Sequence, residues 1–372
     1  MNNGIDTIKT VESIFKGRRI GLITNPSGVT RDLKLTADVL ASEFNVTALF
    51  GPEHGIRGDA QAGAVVTDYR DNVLDIPVFS LFGPSKRIPL DAFDLIDILA
   101  YDIQDVGARF YTYIYTLAMA MEDAARAGKP VVVFDRVNPL GGESIEGILL
   151  DHKHLSSFVG MYPIPTRYGL TVGEFARYIN KEFNINCDLI IIPCDIHPRG
   201  MLFPRTGLPW VPPSPNIPTF ETALAYIGTC IFEGTNVSEG RGTTKPFEMI
   251  GAPFIDAQKL LSRLDKHRLP GIAWRPVHFT PMFSKFSGEL CHGVQLYVKN
   301  PRTAHPFEAG LWLCQEIRDL CQDDFNFNKQ TFSRLLGSES FVSGKESAEE
   351  IITRARTESY HFWEDTLPYR LY

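Results

Sequence analysis

At 372 residues the chain exceeds the roughly 250–300 residues at which a single hydrophobic core stops growing, so two domains are expected. Its 44% hydrophobic and 22% charged residues are the balance of an ordinary soluble globular protein. A net charge of -7 gives nucleic acid no basic surface overall, so phosphate-backbone binding is not expected.

In chain order, Ile5, Ile8, Val11 and Phe15 are spaced like one face of a short helix rather than packed into an apolar leader, so no signal peptide is expected. No run reaches the ~18 apolar residues that would span a bilayer. Residues 19–24 predict a first strand, ended by the turn cluster Asn25-Pro26-Ser27-Gly28. A helix over 35–44 follows from Leu35, Val39, Leu40 and Phe44 sharing a face. The apolar run 46–50 predicts a buried strand that stops at Gly51-Pro52. Just beyond it Glu53, His54, Arg57 and Asp59 are interleaved with Gly51, Gly55 and Gly58, so several ionisable groups share a stretch whose backbone can approach a ligand closely.

Further strands are predicted over 76–82, 95–100 and 131–134. A helix is expected over 109–127, where Phe110, Ile114, Leu117, Met121 and Ala124 recur at helical spacing before the stop signal Gly128-Lys129-Pro130. Another over 171–183 opens on Thr171 as cap with Glu174 three residues on, and a strand over 189–192 follows. This alternation predicts an α/β fold with a largely parallel sheet, covered on both faces and joined by right-handed crossovers. Ligands of such sheets bind beyond the carboxyl ends of the strands. Asn25, Glu53, His54, Arg57, Asp102, Asp105, Arg109, Asp135, Arg136 and Asn138 all fall just after a predicted strand and are expected to converge on one edge.

Residues 204–218 hold six prolines with little periodicity and read as a stiff connector, dividing the chain into domains 1–218 and 219–372. After an apolar, helical stretch over 220–231, residues 233–248 carry three glycines, three carboxylates and two cations without either period. Such a segment is expected to be a loop facing solvent or a ligand. Helices near 257–264, 307–320 and 347–356 and a strand near 293–298 make the second domain α+β. The six cysteines show no metal spacing and are expected to be buried free thiols.

Several familiar sites are absent. No Gly-x-Gly-x-x-Gly follows the first strand, no phosphate-binding Gly-x-x-x-x-Gly-Lys-Ser/Thr occurs, and there is neither a Gly-x-Ser-x-Gly elbow nor a His-Glu-x-x-His pair. No metal and no cofactor is expected. What remains is carboxylates in clefts. Hydrolysis of an acetal needs a carboxylic acid to protonate the leaving oxygen and a second group to stabilise or capture the oxocarbenium-like centre. Glu53 and a glutamate of the 233–248 loop can play these parts if the two domains close on one another, and burial would keep such an acid protonated.

The motifs Gly21-Leu22-Ile23-Thr24-Asn25-Pro26-Ser27-Gly28, Gly51-Pro52-Glu53-His54-Gly55-Ile56-Arg57-Gly58, Asp102-Ile103-Gln104-Asp105-Val106-Gly107-Ala108-Arg109-Phe110-Tyr111-Thr112-Tyr113 and Asp135-Arg136-Val137-Asn138-Pro139-Leu140-Gly141-Gly142, with the 233–243 loop, resemble the exo-β-N-acetylmuramidase family over almost the whole chain. The resemblance implies a Rossmann-like amino-terminal domain without a dinucleotide, a smaller α+β carboxy-terminal domain and an active site in the cleft between them. It also implies release of N-acetylmuramic acid from the non-reducing ends of peptidoglycan fragments, with disaccharides or muropeptides as partners and Glu53 as the suspected catalytic residue. Family members often carry an export signal, whereas this chain begins Met1-Asn2-Asn3. Either the signal was trimmed and the protein is periplasmic or secreted, or it acts in the cytoplasm.

The lactyl carboxylate of N-acetylmuramic acid calls for a cation, best an arginine, and Arg57, Arg109 and Arg241 are the candidates. If the 2-acetamido group itself attacks the anomeric carbon, Asp105, Tyr111 or Glu239 would orient it. Asn25, His54, Glu233 and Asn236 complete the expected substrate-binding set. Two rival readings remain: a muropeptide receptor without catalysis that uses the same arginine pocket, and a metal-dependent hydrolase built on His54 and Asp59, which their spacing disfavours.

Overall fold

The computed structural model describes residues 1–53, 55–58, 67–83, 85–195 and 198–372. Its first half runs β1 (Arg19–Thr24), α1 (Thr36–Glu43), β2 (Asn45–Gly51), β3 (Tyr69–Arg70), β4 (Pro77–Ser80), β5 (Ile98–Asp102), α2 (Tyr113–Ala127), β6 (Val131–Phe134), α3 (His152–Leu155), α4 (Val172–Glu182) and β7 (Leu189–Ile192). The second half continues α5 (Phe220–Thr229), β8 (Met249–Ala252), α6 (Ala257–Leu264), β9 (Ile272–Phe279), β10 (Cys291–Val298), α7 (Pro306–Leu320), α8 (Lys329–Leu336) and α9 (Ala348–Asp365).

Among the described residues the strands form a seven-stranded sheet of order β3-β4-β2-β1-β5-β6-β7 and a three-stranded sheet of order β8-β10-β9. All pairings in the large sheet are parallel except β3 on β4, which closes one edge. Without that edge strand the order is the doubly wound one, which reverses between β1 and β5 and opens a crevice beyond their carboxyl ends. Side chains alternate across β1 and β2. Ile20, Leu22, Val46 and Leu49 pack on one face with Ile5, Ile8, Phe15 and Leu40, whereas Ile23, Ala48 and Phe50 join the larger cluster on the other. That cluster extends without a break from the sheet to Leu311, Phe332 and Phe362, so both halves of the chain share apolar packing.

Local signals in the sequence account for most element ends. The predicted capping box of α4 forms, with the Glu174 amide donating to Thr171 Oγ1 at 3.2 Å and the Thr171 amide donating to Glu174 Oε2 at 3.0 Å. Two expectations change. The helix expected from Arg109 begins only at Tyr113, because the Arg109 amide donates to the Thr166 carbonyl at 2.8 Å and holds 109–112 out of helical register. The terminal helix expected over 347–356 runs on to Asp365, and strands β8 and β9 and helix α8 had no clear periodic signal. Among the described residues no helix is long and apolar enough to cross a membrane, and all six cysteines are buried and unpaired.

One buried cation ties the halves together. Arg109 is 0% exposed, and its guanidinium donates to the carbonyls of Arg334 at 3.2 Å, Leu335 at 2.7 Å and Leu336 at 2.9 Å. These are last-turn carbonyls of α8, which lack partners within the helix and carry the negative end of its dipole. Gly337 follows at φ 98°, a left-handed position, and a Cβ there would meet Arg109 Nη2 at 3.0 Å. Burial draws the Arg109 guanidinium down to about 10, so it stays charged at neutral pH. Replacement Arg109→Leu leaves those carbonyls buried without a donor and is expected to lower the unfolding free energy by about 3 kcal/mol. The urea midpoint measures this, and an unchanged midpoint would refute the capping role.

Candidate active site

The crevice beyond β1, β2 and β5 is walled by residues from all three strand ends. Asn25 ends β1 and is buried; its Oδ1 accepts from the Ser27 amide at 2.9 Å and the Ser27 hydroxyl at 2.6 Å, an Asx turn that shapes the loop. Glu53, half-buried, lies two residues past β2, and its carbonyl is 3.4 Å from the Tyr113 hydroxyl. That hydroxyl donates at 2.8 Å to the carbonyl of Pro213, so the proline-rich connector forms part of the wall. His54 and Asp59 lie outside the described residues, and with them the proposed metal pair.

Asp105, past β5, is the most perturbed acid of this group. Its Oδ2 accepts from the Gly107 amide at 2.6 Å and from the Tyr168 hydroxyl, while its Oδ1, although buried, has no partner among the described residues. Burial pushes its carboxyl up to about 6, against the pull of those donors. The Tyr111 hydroxyl is likewise buried; it makes no well-formed hydrogen bond among the described residues and interacts with the Tyr113 side chain. Burial raises the Tyr111 phenol well above its ordinary value, and the nearby charges of Asp105 and Glu53 act in the same direction. Among the described residues, an acceptor without a partner and a hydroxyl that meets only Tyr113 therefore lie in one segment beside Glu53.

Across from them sits the 233–248 loop. Tyr111 stacks edge-on to Tyr113 at 5.0 Å and to Tyr226 of α5 at 6.2 Å, and Tyr226 meets Phe247 at 4.6 Å. The Arg241 guanidinium lies over Phe247 at 5.1 Å. This aromatic chain joins the strand-end segment to the carboxylates of the loop. Arg241 pairs with Glu233 at 2.6 Å and with Glu239 at 3.3 Å, and Lys285 reaches Glu239 at 2.9 Å while also donating to the carbonyls of Phe232 and Val237. Burial raises the Glu233 carboxyl, opposed by Arg241.

The loop differs from the open segment expected of its composition. Residues 237–240 are buried, and its charges are matched against one another rather than left to solvent. Glu248 turns inward to Thr222 and Lys245. Lys285 carries no periodic or motif signal and was not singled out by sequence reasoning. Tyr226 is hidden in a run that reads simply as core.

Other expected ligands are occupied elsewhere. Arg109, a candidate for the lactyl carboxylate, is spent on α8 and is out of reach of a ligand. Arg57 is clamped by Asp71 at 2.7 Å and Asp38 at 3.1 Å. Asn236 uses both ends of its amide on the 324–326 turn, donating to the Asp324 carbonyl at 2.7 Å and accepting from the Asn326 amide at 2.8 Å. Asp102 and Arg136 form a buried two-point pair at 2.6 and 2.8 Å. Asp135 accepts from Thr171, Gly173 and Tyr372, and Asn138 donates to the Leu170 carbonyl, so these strand-end groups brace the edge and do not face the crevice. A cavity of about 570 Å³ between Ile145, Phe307, Ile352 and Trp363 contains none of the candidate residues.

Residues 20–221 match the family model described as exo-beta-N-acetylmuramidase NamZ, N-terminal, and residues 224–372 match its C-terminal counterpart. The peptidoglycan beta-N-acetylmuramidase NamZ of Bacillus subtilis (strain 168) is 50% identical over 342 residues, which are 91% of this chain and 82% of that protein. Crystal structures of two DUF1343 family proteins from Bacteroides fragilis NCTC 9343 superpose with TM-scores of 0.92 and 0.78, at 34% and 29% identity. Each alignment covers 100% of this chain and 98% of the other.

The state of Asp105 has a measurable consequence. Its folded pKa of about 6 lies above the unfolded 3.8, so the native protein holds a proton that the unfolded chain has lost as pH rises between the two. That contribution to stability is undiminished below pH 3.8 and falls away as pH climbs to about 6. Relative to wild type, Asp105→Asn should gain on the order of 2 kcal/mol between pH 4 and pH 7. Denaturant titrations at both pH values test this, and a pH-independent difference would contradict it.

Proposed function

This chain belongs to the exo-β-N-acetylmuramidase family, and from that premise we propose how its own residues cleave a β-N-acetylmuramide. It is a glycoside hydrolase, and the substrates that suit it are peptidoglycan-derived disaccharides or muropeptides carrying N-acetylmuramic acid at the non-reducing end. The crevice lies between two lobes, 1–218 and 219–372.

Glu53 is the general acid that protonates the glycosidic oxygen as the bond to the anomeric carbon breaks. Its place past the carboxyl end of β2, next to the strand-order reversal, supports the role. The observation that carries the remainder is Asp105 Oδ1, buried without a hydrogen-bond partner among the described residues and in one segment with the buried Tyr111 hydroxyl. Buried polar atoms in native proteins are nearly all hydrogen-bonded, so an orphaned carboxylate oxygen at the strand ends points to a group that a ligand satisfies. The 2-acetamido group offers the complement: its N–H donates to Asp105 while its carbonyl oxygen, steered by Tyr111, attacks the anomeric carbon. Neutral Asp105 would have a proton where the acetamide N–H must enter, so the carboxylate is the working form. Arg241 is the cation proposed for the lactyl carboxylate: like Arg57 it is paired with two carboxylates, but it lies over Phe247 in the aromatic chain that leads to Tyr111. Glu233 and Glu239 hold it in position, and the hydroxyl-lined turn at Asn25 shapes the floor.

With a chromogenic N-acetylmuramide, Glu53→Gln should lose about 10²- to 10⁴-fold in kcat while retaining substrate binding and thermal stability. Undiminished turnover removes Glu53 from the role, and tight binding without cleavage by the wild type would make the protein a muropeptide receptor. In the wild type, kcat/KM should rise with pH through about 6 as Asp105 ionises. Asp105→Asn should lack that limb, and an unaltered pH profile in the variant would assign the limb to another group.

A further inference from the structure

Residues 281–288 form a compact loop, closed by the Gly288 amide donating to the Pro281 carbonyl at 2.8 Å and by the Ser287 hydroxyl donating to the Met282 carbonyl at 3.0 Å. Two of its three large apolar side chains point to solvent, with Met282 79% and Phe283 55% exposed, whereas Phe286 packs against the core. Exposing such residues together is unfavourable and calls for an explanation.

The loop is anchored to the acid segment on both sides of Phe283. On one side the Met282 amide donates to the Gly242 carbonyl at 2.9 Å. The backbones approach so closely that a Cβ on Gly242 would meet Phe283 N and O at 2.6 Å, and Gly242 itself sits at φ 80°. On the other side Lys285 passes inward to Glu239 and to the carbonyls of Phe232 and Val237. Ser284 and Phe286, which flank Lys285, both take left-handed backbone conformations, φ 71° and 55°, that non-glycine residues rarely adopt. The strain turns Lys285 into the site while leaving Phe283 outside it, next to the Arg241-Gly242 corner. Strain of this kind persists where surrounding contacts over-determine it, often beside a ligand.

We infer that Phe283 is the platform for the sugar on the leaving-group side of the scissile bond, stacking its ring against the apolar face of the pyranose that follows N-acetylmuramic acid. This rests on the muramidase reading above. An exo-acting enzyme holds one sugar in its closed crevice, so the rest of the glycan leaves across the rim. The rim segment continuous with Arg241 and Glu239 is the one that displays Phe283. A flat aromatic face suits a sugar whose axial C–H groups present an apolar surface, and Met282 extends that surface with an adaptable side chain.

The test compares two substrates of one enzyme: an N-acetylmuramic acid disaccharide with N-acetylglucosamine as leaving sugar, and the methyl β-glycoside of N-acetylmuramic acid, which has none. For Phe283→Ala the ratio of kcat/KM on the disaccharide to kcat/KM on the methyl glycoside should fall about tenfold, and Phe283→Trp should restore it. A ratio unchanged in both variants overturns the platform. Independently of turnover, the disaccharide should alter the emission of Phe283→Trp beyond any change in the wild type, and no such excess overturns the platform as well. Wild-type protein that cleaves neither substrate refutes the muramidase reading, while the fluorescence change still decides whether a sugar lies on position 283.

Discussion

The arrangement depends on a charge that never meets solvent. Arg109 leaves the amino-terminal sheet, enters the carboxy-terminal half and finds there the exposed carbonyl end of α8 rather than a carboxylate. A helix terminus suits a buried guanidinium, because three converging carbonyls engage both its terminal nitrogens without burying a second full charge, while Nε has no partner among the described residues. The segment that carries Arg109 also carries Asp105, Tyr111 and Tyr113. Holding its middle against α8 sets where its ends stand relative to Glu53 on one side and Tyr226 on the other.

Polar residues at the carboxyl edge of the large sheet divide into two groups by how completely they are satisfied. Asp102, Arg136, Asp135 and Asn138 spend their hydrogen-bonding capacity on one another and on nearby backbone, which braces the strand ends and docks Tyr372 against them. Asp105 retains one oxygen without a partner among the described residues, and the Tyr111 hydroxyl meets only Tyr113, in the same low-dielectric surroundings. Burial without a partner costs stability, and these atoms differ from the other orphaned ones in lying beyond the strand ends beside Glu53. They are the feature on which the proposed handling of the acetamido group rests.

The acid loop follows a different physical logic. Two carboxylates and two cations, Glu233, Glu239, Arg241 and Lys285, neutralise one another closely enough that 237–240 can be buried. Lys285 contributes from a distant strained loop, so the charge balance of the site draws on both the 233–248 segment and the turn between β9 and β10. The same turn displays Phe283 at the rim, which couples a buried electrostatic function to an exposed apolar one within three residues.

Much was determined by the sequence alone: the apolar runs became the parallel strands, the Thr171 and Glu174 box capped its helix, and the long motifs identified the family and drew attention to Glu53. Those signals are local, carried by periodicity, turn chemistry and contiguous residue strings. Which partners each charge takes was decided only by the tertiary structure. Arg57, Arg109 and Arg241 look equivalent as isolated cations in polar stretches, yet one is clamped by Asp71 and Asp38, one caps α8 and one stands among the carboxylates over Phe247. Partners 8 to 227 residues away make that distinction, and no periodicity records them. Lys285 was invisible for the same reason, since its role comes from where a strained turn delivers it and not from any pattern around it.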